Sequence, residues 1–259
     1  ILFRPSFAVQ ARELTQSQSI AQNQIERVSD HIFEKGAMVI PGEIGYDLTY
    51  SSIKLSATSA STLSDYVDVE VTGATSGVVA RVVNATITDG TDPDTIFVKY
   101  TKTGTNNTAL EFTPGETLNC TINTVSQTAT VSTVHTGSAA EVQAGVYYIN
   151  GFQVQVDNQV LILDKYTNTP SYRVGLTVAE SFVGSTDDTT LNDNAAGTSN
   201  INAPGAHRFK ISLTLTKKTL SSTDDKNFVE LLRLSNGILQ NRVRNTEYGI
   251  LEDTFARRT

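Results

Sequence analysis

At 259 residues the chain is long enough to bury a substantial core, in one large domain or in two to three small ones. Its 27 acidic side chains outnumber 20 basic ones, and no run of Lys or Arg offsets the net charge of −7, so sequence-independent binding to nucleic acid is not expected. The single cysteine, Cys120, excludes a disulfide framework or a thiolate zinc cluster and reads as a small buried side chain.

No apolar run approaches the ~18 residues of a membrane span, so no membrane insertion is expected. The start lacks the basic-then-apolar pattern of a signal peptide. The chain begins at Ile1 and stops at Ala256-Arg257-Arg258-Thr259 without a terminating feature, which reads as part of a longer polypeptide. Abundant Thr, Ser, Asn and Val suit half-buried strands and their turns, so the expected fold class is mainly β.

The one long helical pattern comes first. Phe7, Ala11, Leu14, Gln18, Ala21, Ile25, Val28 and Ile32 recur at alternating spacings of four and three. They form a heptad seam, with Phe7, Leu14, Ala21 and Val28 on one line and Ala11, Gln18, Ile25 and Ile32 on the other. Ser6 is the expected N-cap, Lys35 lies in the expected last turn, and Gly36 is a ready stop. The spacing predicts a long helix over 10–35. Two packings compete for the seam: against the chain's own sheet, or against copies of itself. Gln16, Gln18, Gln22 and Gln24 are unusually polar for a core helix, and a polar seam residue such as Gln18 fixes register. Isoleucine on one line and Val28 on the other lean toward three copies, a homotrimer, with Phe7, Leu14, Gln18, Ala21, Ile25, Val28 and Ile32 as the oligomerisation residues.

Strands are predicted next at 37–40 and 46–55, then a linker at 56–64. Residues 66–136 are compositionally distinct, with short strands at 67–71, 78–87, 96–102, 118–122 and 128–134 between turn signals. They read as a small inserted sandwich or barrel. The 88–94 segment carries three carboxylates but lacks the ligand spacing of a calcium loop, and reads as a turn.

From residue 145 the strands lengthen, at 146–150, 153–156, 159–163 and 172–178. Asn150-Gly151 and Asp157-Asn158 occupy hairpin positions. Residues 184–205 form a long Asp/Asn/Gly loop. The 207–218 strand alternates, with Phe209, Ile211, Leu213 and Leu215 on one face. Residues 228–243 fit a hairpin about Asn236-Gly237 better than a leucine-rich helix, and 247–258 fits a short helix or connector. The predicted organisation is 1–63, helix and first strands for attachment; 64–136, the inserted β domain; 137–220, a β domain with the long loop; and 221–259, a hairpin and connector.

No catalytic chemistry stands out. His31, His135 and His207 are far apart in sequence, and His31 reads as structural. No phosphate-binding, metal-ligating, cofactor-binding or nucleophile motif is present, so no catalytic, cofactor or metal residues are assigned. Asp187, Asp188, Asp193 and Glu180 are the one set that would supply paired carboxylates for glycoside cleavage, a losing reading beside a non-enzymatic one.

Several stretches carry a family resemblance: LFRPSFAVQARELTQSQSIAQNQIERVSDHIF with VIPG close behind, GVYYINGFQV, LDKY with PSYRVGL, NAPGAHRFKISLTLTK, and EYGILEDTFARRT. They cover most of 2–42 and 145–259 and resemble a family of virion structural proteins of tailed bacteriophages, common in contractile-tailed phages of cyanobacteria. The resemblance implies a baseplate or tail-fibre component located in the virion tail, with other tail proteins as partners and no catalytic residues. An elongated trimer that links the baseplate to a fibre, or forms the fibre base, is the expected role. The alternative is a receptor-binding module whose inserted domain or 184–205 loop meets a host cell-surface glycan.

Overall fold

A computed structural model describes residues 1–40, 42–60, 62–105, 107–195, 197–242 and 249–258. In chain order the elements are α1 (Ala11–Ser29), β1 (Met38–Ile40), β2 (Ile44–Thr58), a 3₁₀ turn (Leu63–Tyr66), β3 (Glu70–Gly73), β4 (Val79–Thr86), β5 (Thr95–Lys102), β6 (Thr117–Ile122) and β7 (Val125–Val142). There follow β8 (Gly145–Ile149), β9 (Phe152–Val156), β10 (Gln159–Asp164), β11 (Tyr172–Val183), a 3₁₀ turn (Thr189–Leu191), β12 (Asn192–Asp193), β13 (Asn200–Pro204), β14 (Arg208–Thr219), β15 (Phe228–Ser235), β16 (Ile238–Arg242) and α2 (Gly249–Arg258). The protein is mainly β, as its composition predicts.

The order β7-β2-β5-β4-β3-β6 closes on itself because β6 also pairs with β7, from Thr117↔Thr130 to Ile122↔Val125. The result is a small barrel. Asn123 and Thr124, both at positive φ, make the two-residue turn whose twist suits adjoining strands. Ile53, Val71, Val82, Ile96, Leu118 and Val131 fill its interior. Tyr66 is buried with them, and its hydroxyl donates to the Thr128 carbonyl at 2.7 Å. Glu116 is buried at one end, where it accepts from the amides of Thr75, Ser76 and Thr113 and so joins two loops. The predicted linker is partly strand, since β2 runs on to Thr58.

A second core lies between the sheet β14-β11-β15-β16 and a layer made by the β8–β9 hairpin, β10 and the ends of β2 and β7. Tyr147, Leu163, Leu176, Leu215, Leu231 and Leu234 are among its members. Two long strands belong to both cores: Ile44 of β2 and Val142 of β7 lie here, Leu55 of β2 and Ala129 of β7 in the barrel. The Gln159 side chain spans the layers, donating to the Leu213 carbonyl at 3.0 Å and accepting from the Leu215 amide at 2.7 Å. It supplies to the free side of β14 what a neighbouring strand would supply. Arg173 on β11 is nearly buried between Glu230, Asp225 and the Ser222 carbonyl, tying the 219–228 loop to the sheet.

Hairpin turns form at Asn150-Gly151 and at Asn236-Gly237, each with positive φ at both positions, and 228–242 is a hairpin rather than a helix. Val243 and residues 247–248 of the neighbouring predicted segments lie outside the described residues. Asp157-Asn158 does not make a hairpin. Neither residue has positive φ; Asn158 Oδ1 accepts the Ala144 amide at 2.7 Å, and β10 crosses to pair with β7.

The opening helix is shorter than predicted, at 19 residues and about 28 Å. Ser6 cannot cap it, because its φ of 68° is left-handed. Gln10 occupies the cap with extended geometry, and its amide donates to Glu13 Oε2 at 3.0 Å. At the other end Ile32 and Phe33 bond back to Ser29, and the chain turns through Gly36 at φ +87° to run beside β8. The Gly36 amide donates to the Tyr148 carbonyl, and the Tyr148 amide donates to Ala37. Strand pairing therefore ends the helix before the predicted Lys35.

Candidate functional site

The surface that stands out is the outward side of α1 together with the hairpin beneath it. α1 buries none of its residues. It rests on the β8–β9 turn through its polar side: Gln22 Nε2 donates to the Gly151 carbonyl at 2.8 Å, and the Tyr148 hydroxyl donates to Asp30 Oδ1 at 2.6 Å. Gly151 is needed twice over. Its φ is +86°, and a Cβ there would sit 2.9 Å from Glu26 Cβ. Phe33 lies against Tyr148 with ring centroids 5.5 Å apart and the rings tilted by 40°, below the end of the helix.

The seam lies along the side of α1, beside the contact with the hairpin, and its large residues are left uncovered. Leu14 is 57% exposed, Ile25 56% and Val28 62%. Gln18 and Ala21 are exposed with them. Packing of the seam on the chain's own sheet, the first of the two readings, is not what the structure has. Two predicted seam residues fall outside the helix. Phe7 precedes it, exposed and covered by the Arg4 guanidinium 4.5 Å from its ring centroid, and half-buried Ile32 lies in the turn that follows. The helical positions flanking the seam are Thr15, Gln22 and Ser29 on one side and Ser17 and Gln24 on the other, none of them charged. The charged residues of α1, Arg12, Glu13, Glu26 and Arg27, all lie among the remaining positions.

Between α1 and the β-layer is an open groove of about 610 Å³, walled by Gln18, Ala21, Gln22 and Ile25 on the helix and by Phe152 and Phe209 on the strands. The ring of Phe209 lies 5.6 Å from that of Phe152 and 5.8 Å from that of Phe182, so three aromatics on β9, β14 and β11 make a continuous shelf. Alternation predicts Phe209 on the same buried face as Leu213 and Leu215. It is instead 46% exposed, because β14 runs past the end of the core. Phe152 and Phe182 carried no sequence signal beyond their residue type, since their role depends on which strand ends meet in space.

The carboxylates of the long loop are occupied locally. Asp187 Oδ2 accepts the Gly184 amide, Asp188 Oδ1 accepts the Thr190 amide and hydroxyl, and Asp193 Oδ1 accepts the Ala195 amide. Glu180 Oε1 accepts from Asn150 Nδ2 at 3.2 Å. The hydrogen bonds from Thr190 hold Asp188 below the usual carboxylate range. His31 is exposed. His135 bonds Thr133 and meets the Tyr166 ring at a tilt of 59°. Cys120 is half-buried rather than buried, and that burial raises its thiol pKa. In the 88–94 turn, Asp89 and Asp94 close the backbone, while Asp92 meets Lys54, Lys165 and Tyr166. Among the described residues no group of three or more His, Cys, Asp or Glu is placed to hold a metal ion, and no helix is long and apolar enough to cross a membrane.

No curated protein and no solved structure matches the chain. Residues 124–259 match the family described as Domain of unknown function (DUF4815). That span starts at the β6–β7 turn and includes the aromatic shelf, whereas α1 precedes it. Because the match extends over more than half of the sequence, the chain belongs to the DUF4815 family.

Proposed function

We propose that this chain is a non-enzymatic structural protein of a bacteriophage tail, a baseplate or tail-fibre component that joins the two or forms the fibre base. Copies associate through α1 into an elongated homotrimer, made in the host cytoplasm and held in the virion by other tail proteins. One observation carries the reading: a heptad seam that faces outward, uncovered, with uncharged positions on both flanks. A solitary helix gains nothing from exposing Leu14, Ile25 and Val28, whereas a second and third copy would bury them. The sequence resemblance to tailed-phage virion proteins supplies the setting. The local use of Asp187, Asp188 and Asp193 in their own loop favours a scaffold over a paired-carboxylate enzyme.

Sedimentation of residues 1–259 at micromolar concentration tests the assembly, with a trimer expected. Changing Ile25→Asp and Val28→Asp together is expected to give a folded monomer. A wild-type monomer, or an unchanged oligomer in the double variant, overturns the role of α1. Mass spectrometry of purified tails tests the setting, and absence of the chain from them overturns it.

A further inference from the structure

Resting on that reading of α1, we infer that the shelf of Phe152, Phe182 and Phe209 is the second half of the same interface and receives α1 of a neighbouring copy. The first argument is area. Leu14, Ile25 and Val28 together offer only about 300 Å², well short of the ~800 Å² that each partner contributes to a standard interface. Phe182 and Phe209 are 73% and 46% exposed, on side chains of about 150–250 Å² each. With them the face rises to on the order of 500–600 Å², the upper end for an unpartnered patch on a monomer and within reach of a stable contact once polar rim residues are added.

The second argument is continuity. Ala21 and Ile25 of the seam and Phe152 and Phe209 of the shelf line one open groove, so a helix packed on the seam also lies against the rings. The third is charge. Among the described residues Glu26 is the one charged residue lining that groove, and the flanks of the seam are neutral. A copy of the same helix therefore docks without placing like charges together, while a strongly basic or acidic partner finds little to pair with. The occupant that fits apolar seam, neutral flank and aromatic shelf together is a second copy of this chain. Each helix would pack on its neighbour's helix and on its neighbour's β-layer.

A photoreactive residue in the full chain tests this. With Phe182→benzoylphenylalanine, irradiation is expected to give covalent dimers on a denaturing gel, with residue 182 joined to the tryptic peptide 13–27 of another copy. The Phe182→Ser, Phe209→Ser double variant is expected to weaken self-association at least tenfold without changing thermal unfolding of the dissociated chain. If the wild type associates but cross-links stay within one chain or fall elsewhere, or if the double variant associates equally well, the shelf is not in the interface and the seam reading stands. If the wild type sediments as a monomer at tens of micromolar, both readings fall.

Discussion

The hydroxyl of Tyr148, on the inner strand of the β8–β9 hairpin, donates to the carboxylate of Asp30 just beyond the last residue of α1, at 2.6 Å. Tyr148 is almost fully buried, and Phe33, just past the end of α1, supplies part of that cover. Burial and the neighbouring Asp30 both raise its pKa, which keeps it a donor. The bond anchors the C-terminal end of an otherwise exposed helix. Tyr148→Phe is expected to cost about 1–2 kcal/mol, since a hydrogen bond to a charged acceptor is worth roughly 1.5–3 and Asp30 keeps access to water. Hydrogen exchange should locate the loss: faster exchange in Ala11–Ser29, with protection of β11 and β14 unchanged.

Asp92 gives a dependence on acid. The Tyr166 hydroxyl, then Lys54 and Lys165, hold its pKa at about 2, against an ordinary 3.8. A carboxylate with a lowered folded-state pKa stabilises the fold above its unfolded value and loses that contribution as pH falls toward the folded one. The melting temperature of the wild type should therefore fall between about pH 4 and pH 2 through this group. Asp92→Asn should be less stable at pH 7 and show a smaller change across that window.

Arg173 and Glu230 form a nearly buried pair on adjacent strands, with side chains 7% and 13% exposed. Glu230→Ala leaves the guanidinium with only the more exposed Asp225 as anionic partner. A cost of about 3 kcal/mol is expected, the low end for breaking a buried pair, measured as a shift in urea midpoint. Replacing both residues with leucine should cost less than Glu230→Ala alone.

Gly175 sits in β11 where the register with β15 shifts, and an added Cβ would run into the backbone carbonyl of Val229. Gly175→Ala is expected to destabilise by about 1–3 kcal/mol, because a neighbouring strand cannot yield as a side-chain tip can. Gly90→Ala is a control for the loss of glycine, since nothing lies within contact distance there, although its φ of +91° adds some backbone strain.

Much of the strand content was readable because its signals are local. Asn150-Gly151 and Asn236-Gly237 specify turns by their own φ preferences, and Val79–Thr86 and Arg208–Thr219 announce themselves by composition and alternation. What was not readable depended on distant partners. The end of α1 at Ser29 is set by Tyr148, about 120 residues away, and the failure of Asp157-Asn158 to turn is set by pairing of β10 with β7. The seam itself was legible from spacing. Its outward direction was not, because periodicity identifies a stripe without saying what the opposite side touches. Glu116 shows the same limit: nothing beside it in sequence foretells that it caps two loops from inside the barrel.

β7 is 18 residues long, about 60 Å of continuous strand. β2 runs antiparallel beside it for most of that length. The barrel is thus joined to the end that carries α1 by two long paired strands rather than by a linker, with register shifts in their pairing at Asp47/Tyr50, Lys54/Leu55 and Leu55/Ala57. Those shifts are where the paired strands bend, since a bulge kinks a strand and leaves the cores on either side intact. The attachment of α1 is slighter than that joint: the side chains of Gln22 and Tyr148, with Phe33 against the Tyr148 ring, hold a helix about 28 Å long to the hairpin, so a load on the assembly is expected to detach the helix before it parts the two cores.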